Sequence, residues 1–404
     1  MFKIFIKIFF ILSFPILLFS QDASLFSLYG IGQLVEVGNF SSFGLGSNGI
    51  ANSPRFDINL SNPAGISKIE RTLFGFSARY SNNSATDNSN KVIIDDANIS
   101  VLAVAFPLIP ENNFNFAFGI SPISNSNFVH TNSQKVFKNQ TYRITKEIKG
   151  GFANAFLSSS YGINKNNILG FSAEYIFGSI NNRDTLTFIT SDSIFFQQSF
   201  SDLTSAGKGF RFTFGAQSKL NDEIDLGITF STSTSLSGHQ NLIEIINDFP
   251  ETTYTKSENI NIPSSIGLGA VYKLKPFNFI FDFKMQDWTN FKFFKENSSI
   301  YKNSNRISLT TEYLPEKKIT YLSQQTKFTL GFSYYNTPWK INDTPIKEIW
   351  ISTGATFPIS YESSANINFA FGKRGIKSIV EENVYQISLN ILASSLWFVQ
   401  IPYE

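Results

Sequence analysis

Residues Pro276–Trp288 read PFNFIFDFKMQDW, and the side on which each residue falls decides the fold. On an extended chain, side chains alternate between two faces. Phe277, Phe279, Phe281, Phe283 and Met285 therefore share one side, and Asn278, Ile280, Asp282, Lys284 and Gln286 share the other. Two architectures accept such a strand. One is a soluble sheet whose aromatic side is covered by a second layer. The other is a membrane barrel, greasy outside and polar inside, with ~10 residues per crossing. The alternation recurs along the whole chain, with no helical pattern able to cover the aromatic faces, and this favours the barrel.

Composition agrees. The chain has 404 residues, with 44 Phe and 15 Tyr against 2 Met, the aromatic bias of strands and interfacial girdles. A formal net charge of +2 gives no basis for a nucleic-acid partner. With no cysteine, disulfides, thiolate metal sites, lipoprotein anchoring and cysteine catalysis are all excluded.

At the N-terminus, Lys3 and Lys7 precede the apolar run Ile8–Phe19, and Ser20 stands before Gln21. This is the layout of a secretory signal cleaved near Ser20, expected over residues 1–20. No later segment offers ~18 consecutive apolar residues, so a membrane form must be a barrel. Residues 21–70 are rich in Gly, Ser and Asn and are expected to form a plug or hatch; residues 71–404 are expected to form the barrel. Segments such as Thr72–Tyr80, Asn113–Ser121, Asn167–Ser179, Gly209–Leu220 and Phe277–Trp288 read as strands, about fourteen in all, an even count as bacterial barrels prefer. Short links such as Asn221–Asp222 and Lys275–Pro276 alternate with long polar ones such as Pro122–Gly151, Ile180–Lys208 and Thr234–Pro263. That asymmetry matches periplasmic turns and exterior loops. Leu314–Gln325 is too long for its periplasmic place.

Within the plug, Gly44-Leu45-Gly46-Ser47-Asn48-Gly49 matches the dinucleotide pattern G-x-G-x-x-G. No hydrophobic strand leads into it and Pro54 blocks a long helix after it, so a glycine-turned loop is the better reading. No cofactor is expected. His130 and His239 fall in expected exterior loops, with no spacing that would build a metal site or serve a nucleophile, so the chain is not expected to be an enzyme. A Lys or Arg facing mid-bilayer lipid would cost ~2–4 kcal/mol. Arg79, Arg211, Asp282 and Lys284 are therefore expected in the lumen or near a rim, with Arg211, Asp282 and Lys284 candidates for a luminal charge network.

The glycine-rich entry, the triplet Asn62-Pro63-Ala64 and the barrel behind them resemble the FadL/TodX family of outer-membrane transporters for hydrophobic compounds. The hairpin from Ile262 to Trp288, with Pro263, Gly267, Gly269, Tyr272, Asp282 and Trp288, is similar to a strand pair of that family. The C-terminal part, with Tyr334-Tyr335-Asn336-Thr337-Pro338 and Gly372-Lys373-Arg374-Gly375, resembles its Bacteroidota version. The resemblance implies a monomeric barrel in the bacterial outer membrane, in contact with its lipid, that passes a hydrophobic small molecule, either long-chain fatty acid-like or an aromatic hydrocarbon. It also implies a hatch gated through Gly44, Gly46, Gly49, Asn62, Pro63 and Ala64, and a lateral opening in the third strand at Gly119 and Pro122. The alternative is a PorV-like relative that binds or shuttles protein partners of type IX secretion at its exterior loops.

Overall fold

The computed structural model describes residues 24–28, 30–36, 38–40, 49–86, 91–132, 134–137, 140–189, 198–246, 249–294, 300–315, 325–360 and 362–395. The expected signal segment and the positions Gly44 and Gly46 lie outside these. The strands are β1 (Gln33–Leu34), β2 (Thr72–Thr86), β3 (Lys91–Ile109), β4 (Phe114–Thr131), β5 (Lys135–Phe137) and β6 (Gln140–Gly162). They continue as β7 (Asn167–Ile189), β8 (Gln198–Lys219), β9 (Ile224–Ser231), β10 (Thr234–Ile246), β11 (Phe249–Ile262) and β12 (Ser265–Leu274). The last are β13 (Phe277–Gln286), β14 (Ser304–Tyr313), β15 (Lys327–Ile341), β16 (Thr344–Pro358), β17 (Ser364–Ile376) and β18 (Val380–Ser395). Among the described residues no helix is long and apolar enough to cross a membrane.

Every neighbouring pair in the wall is antiparallel, and β18 closes on β2 from Ser395↔Thr72 to Glu381↔Thr86. β9 and β10 are the lower and upper halves of one wall strand, as are β11 and β12. β5 is an exterior stub and β1 lies in the lumen, so fourteen strands close the barrel, as expected. Closure matters because hydrocarbon offers no hydrogen bonds to a free sheet edge.

The opening stretch behaves as its alternation requires. Phe281 is 45% exposed on the outer face, while Ile280 and Asp282 beside it are 1% and 4% exposed. Outward Phe210, Phe212 and Phe214 on β8 repeat the pattern. Phe281→Arg is expected to destabilise the barrel by about 2–4 kcal/mol if it sits near the bilayer midplane, read as a lower urea midpoint in lipid vesicles. The same change at exposed Lys275, in the short turn, should leave the midpoint within error.

Three expected exterior loops are largely strand. β4 runs on to Thr131 and β6 begins at Gln140; β7 reaches Ile189; β10 and β11 occupy most of Thr234–Pro263. His130 and His239 consequently lie on β4 and β10, both exposed, rather than in loops. The reason is physical. Above the membrane both faces of a strand meet water or polar neighbours, so the apolar–polar contrast that marks a crossing fades, while the backbone pairing continues. Most of Leu314–Gln325, the misfit turn, lies outside the described residues.

Two apolar clusters fill the lumen. One, at the exterior end, joins Phe26 to Phe152, Leu236, Ile260, Trp288 and Trp339. Trp288 stacks edge-on against Phe291 at 5.0 Å between centroids, and Phe291 against Tyr301 at 4.8 Å. The other joins Phe40, Ile58, Ile66 and Ile69 of the N-terminal segment to Leu73, Val101 and Phe156 of the wall.

Candidate functional site

The N-terminal segment is bonded to the inner wall along its whole described length. Gly49 has φ +140, a backbone region that favours glycine. Its N–H donates to Asp282 Oδ2 at 2.9 Å, and the Ile50 N–H donates to Oδ1 at 3.1 Å. Asp282 thus straps the segment to the wall through a carboxylate that accepts from two successive amides.

Asn62 is fully buried and begins the 3₁₀ turn Pro63–Ile66. Its Oδ1 accepts from the Ala64 N–H at 3.0 Å, a cap that Asn forms well, and Pro63 follows at the first turn position, where it needs no donor. Its Nδ2 donates to the Ile50 carbonyl at 2.7 Å and reaches the wall carbonyls of Ala216 and Ile228 at 3.3 and 3.4 Å. Gln217 on β8 donates to the same Ile50 carbonyl at 2.8 Å, and Asn115 on β4 donates to the Ile66 and Ser67 carbonyls at 2.7 and 2.8 Å.

The wall is cut to fit this segment. A Cβ at Gly170 would strike Pro63 and Ala64, one at Gly215 would strike Asn62, and ones at Gly227 and Gly269 would strike Ile50 and Ala51. Inward glycine on four wall strands is what lets backbone lie on backbone. Sequence reading gave these glycines no such role, although each sits at an inward position of an alternating strand, where a polar side chain would otherwise be expected.

The three candidates for a luminal charge network have separate partners. Arg211 pairs with Glu174 at 2.5 Å, and Thr213 and Asn154 donate to the same carboxylate at 2.6 and 2.8 Å. Lys284 reaches Glu36 of the N-terminal segment at 2.9 Å. Burial works to raise the pKa of Glu36, but the cations of Lys284, Arg306 and Arg211 outweigh it and hold the carboxyl below its ordinary range. Arg211, Glu174 and Lys284 border one polar cavity of about 100 Å³ between the segment and the wall, roomy enough for several waters.

A second strap, which sequence reading missed, lies at the exterior end. Arg374, 1% exposed, donates from Nε to Glu348 at 2.7 Å and from Nη1 to Glu382 at 3.1 Å and to Ser24 Oγ at 2.9 Å. The Ser24 hydroxyl donates in turn to Glu382 Oε2 at 2.8 Å.

The third feature is a seam. β3 and β4 pair only up to Leu102↔Ile120, whereas β2 and β3 stay paired as far as Thr86↔Lys91, and β4 and β6 as far as Thr131↔Thr145. Gly119 sits at the foot of this seam, opposite Ala103, and Pro122 lies just above. The register of β4 slips between Pro122 and Ser124, and the freed Ile123 carbonyl is taken by the Val35 N–H at 2.9 Å. β1 pairs with the same stretch through Leu34↔Ser124 and Gln33↔Asn125. The bend spreads sideways. Gly150 (φ +121), Gly151 (φ +149) and Gly178 (φ +159) carry it across β6 and β7. A cavity of about 290 Å³ lies there, bordered by the apolar Val35, Ile99, Pro122, Phe152, Ala153 and Phe177 and by the polar Arg79, Asn98, Ser124 and Asn125.

Known proteins place this arrangement. No curated protein sequence matches the chain. Among solved structures, the channel CymD, described as a monoaromatic hydrocarbon channel, superimposes with a TM-score of 0.61 at 16% identity, covering 90% of this chain and 98% of CymD. A Pseudomonas aeruginosa FadL homologue gives 0.62 at 13% identity, with 90% and 99% covered. The Pseudomonas putida toluene transporter TodX gives 0.58 at 15% identity, with 91% and 100% covered. The expected FadL/TodX resemblance therefore holds at the level of fold, a closed antiparallel barrel of fourteen strands. The BamG family model matches residues 1–404 end to end, and the chain belongs to the BamG family.

Proposed function

We propose that this barrel is a passive outer-membrane channel for small hydrophobic compounds, which leave the lumen sideways through the β3–β4 seam. The observation that carries the reading is the seam, where β3 and β4 stop pairing with each other above Leu102↔Ile120. Backbone left without a partner at membrane depth is expensive, and it is tolerated where it lines a cavity or a path. The seam cavity of about 290 Å³ exceeds the ~150 Å³ that suffices for a benzene-sized guest. A greasy ligand moving from water into it gains ~25 cal/mol per Å² of apolar area buried, so affinity alone can drive entry.

The hatch is coupled to that opening. Val35 and Leu34 satisfy the free edge of β4, so a shift of the segment held by Asp282 and Asn62 also changes what borders the seam. Val35→Trp fills the cavity from the hatch side. Uptake of toluene and of oleate by cells carrying it is expected to fall to the level of cells without the protein, while Leu268→Trp on the lipid face leaves uptake intact. Unchanged uptake in the Val35 variant removes the seam as the route. Asn62→Ala is expected to raise uptake by loosening the hatch; wild-type uptake there removes the gating role from Asn62, Pro63 and Ala64.

The second reading to be separated from it is a barrel that serves as a docking body for protein partners. The cavity beside the hatch is polar and bounded by the Arg211–Glu174 and Lys284–Glu36 pairs, an unfavourable passage for a hydrocarbon. On that reading the Val35 variant keeps its partners and loses nothing else, so purification in mild detergent followed by mass measurement of the intact assembly separates the two.

A further inference from the structure

The outer face of β15–β18 changes character over a short height. Going up β16, the outward residues are Thr353, Ile351, Ile349 and then Lys347; going up β17 they are Phe369, Phe371 and then Lys373. Pairing puts neighbouring strands in the same rows. Leu330 and Phe369 flank Thr353, Phe332 and Phe371 flank Ile351, and Asn336 stands beside Lys347. On each strand the switch from apolar to basic takes one alternation, roughly 7 Å at ~3.3 Å per residue. Tyr334, opposite Ile349, and Tyr385, opposite Phe371, fall in the last apolar rows, where amphipathic rings mark the level of lipid headgroups. The lysines therefore lie at the exterior headgroup level, on the lipid side of the wall.

Two further lysines join them. Lys340 stands opposite Pro345, on the face of Lys347. Lys302 follows the Tyr301–Trp339 bridge and is close enough to Lys340 and Lys347 for both to act on it. Burial, then the ammoniums of Lys347 and Lys340, lower the pKa of Lys302, as expected of cations crowded together. Among the described residues two acids answer this group, Asp343 to Lys340 at 3.5 Å and Glu381 to Lys373 at 3.1 Å. Four lysines against two acids leave positive charge in excess, and Asp343 is 97% exposed, where an ion pair is worth little. Below the lysines the wall has a groove. Thr353 is short between two large neighbours, and a cavity of about 460 Å³ opens there, bordered by outward Leu330, Ile351, Phe369, Phe371, Tyr385 and Ile387. Ser352, Ala370 and Gln386, at inward positions of their strands, complete its border.

We infer that this face holds an acylated, phosphate-bearing lipid of the outer leaflet, its headgroup against Lys302, Lys340, Lys347 and Lys373 and one acyl chain in the groove at Thr353. Charge selects the occupant. In hydrocarbon an apolar wall has no hydrophobic advantage over lipid tails, so the groove holds a chain by packing and the head decides which lipid stays. Lysine binds phosphate as a mobile point charge, and its long stem can lie along apolar surface while its ammonium reaches the headgroup. A second copy is disfavoured by the same charge. Two upright barrels meeting through this face are related by a two-fold axis along the membrane normal, which sets lysines against lysines. A free anion would use the lysines and leave the groove without a role. An anionic amphiphile matches both halves at the height where its own head and tail meet. The site is on the outside of the wall and does not depend on what passes through the seam.

Monophosphoryl lipid A is the probe. The full chain, purified in mild detergent with this lipid added, is expected to retain it through intact-mass measurement about tenfold more than it retains phosphatidylcholine. Lys340→Gln combined with Lys347→Gln is expected to lower retention about tenfold, and so is Thr353→Trp, which fills the groove and leaves the lysines in place. Leu268→Trp, on the lipid face of β12, and Lys275→Gln, in the turn at the opposite end of the wall, keep wild-type retention. All variants are compared as folded barrels, selected by their heat-modifiable migration on gels. Equal retention of phosphatidylcholine, or full retention in either the lysine or the groove variant, overturns the site. Displacement of the lipid by inorganic phosphate makes a free anion the occupant and overturns the lipid. A mass of two chains, or of one chain with another protein, that Thr353→Trp abolishes overturns the choice of occupant.

Discussion

Arg374→Leu is expected to lower the stability of the barrel by about 3–5 kcal/mol, read as a reduced urea midpoint, because Glu348 and Glu382 remain buried without their cation. The loss has a local component. Arg374 and Glu382 hold Ser24 to the wall, so a protease added from outside is expected to cut the N-terminal segment of the variant and spare the wild type. Arg374→Lys recovers only part of the midpoint, because a single ammonium cannot fork between two carboxylates and a hydroxyl. Combining Arg374→Leu with Glu348→Gln and Glu382→Gln recovers more, since the uncompensated charges are then gone. An unchanged midpoint in Arg374→Leu contradicts the assignment of this cluster as the exterior anchor.

Asp282→Asn is expected to free the other end of the segment while leaving the barrel intact. A hydrogen bond to a charged acceptor is worth ~1.5–3 kcal/mol, and two are involved. Asparagine can still accept from one amide, but its NH₂ then faces the other donor. Net loss of one such bond should speed exchange of the Gly49 and Ile50 amides about 10- to 100-fold, with amides of β13 unaffected. The same variant should conduct small ions more readily in planar bilayers, because the strap crosses the lumen. Exchange at the wild-type rate would show that the carboxylate does not hold the N-terminal segment.

What could be read before the structure follows from how strongly each feature marks the chain. Crossing strands mark it every second residue, since lipid and lumen impose opposite chemistry; Phe277–Met285 on β13 and Phe210–Phe214 on β8 therefore lie as expected. Asp282 could be placed on the inner face for the same reason, whereas Asn62-Pro63-Ala64 stood out only through its family resemblance. Partner choice leaves no such mark. That Arg211 would take Glu174 and Lys284 would take Glu36 depends on strand registers and on the path of the hatch. The Arg374–Glu348–Glu382–Ser24 cluster joins residues 350 positions apart and has no spacing to read. Height above the membrane was also illegible, because β7 and β8 keep pairing where the solvent no longer distinguishes their faces. The seam was half legible: Gly119 and Pro122 weaken a ladder on their own, whereas the slip at Ile123 and the bend through Gly150, Gly151 and Gly178 depend on neighbours across the sheet.

The exterior anchor also orders events in time. Ser24 stands near the start of the described chain, and the residues that grip it are on β16, β17 and β18, made long after it. The same final strand, β18, zips onto β2 to shut the cylinder. The start of the N-terminal segment therefore gains its grip only when the β17–β18 hairpin arrives, so closing the wall and fixing that segment are completed by the same piece of chain. A protein truncated before Arg374 loses both together.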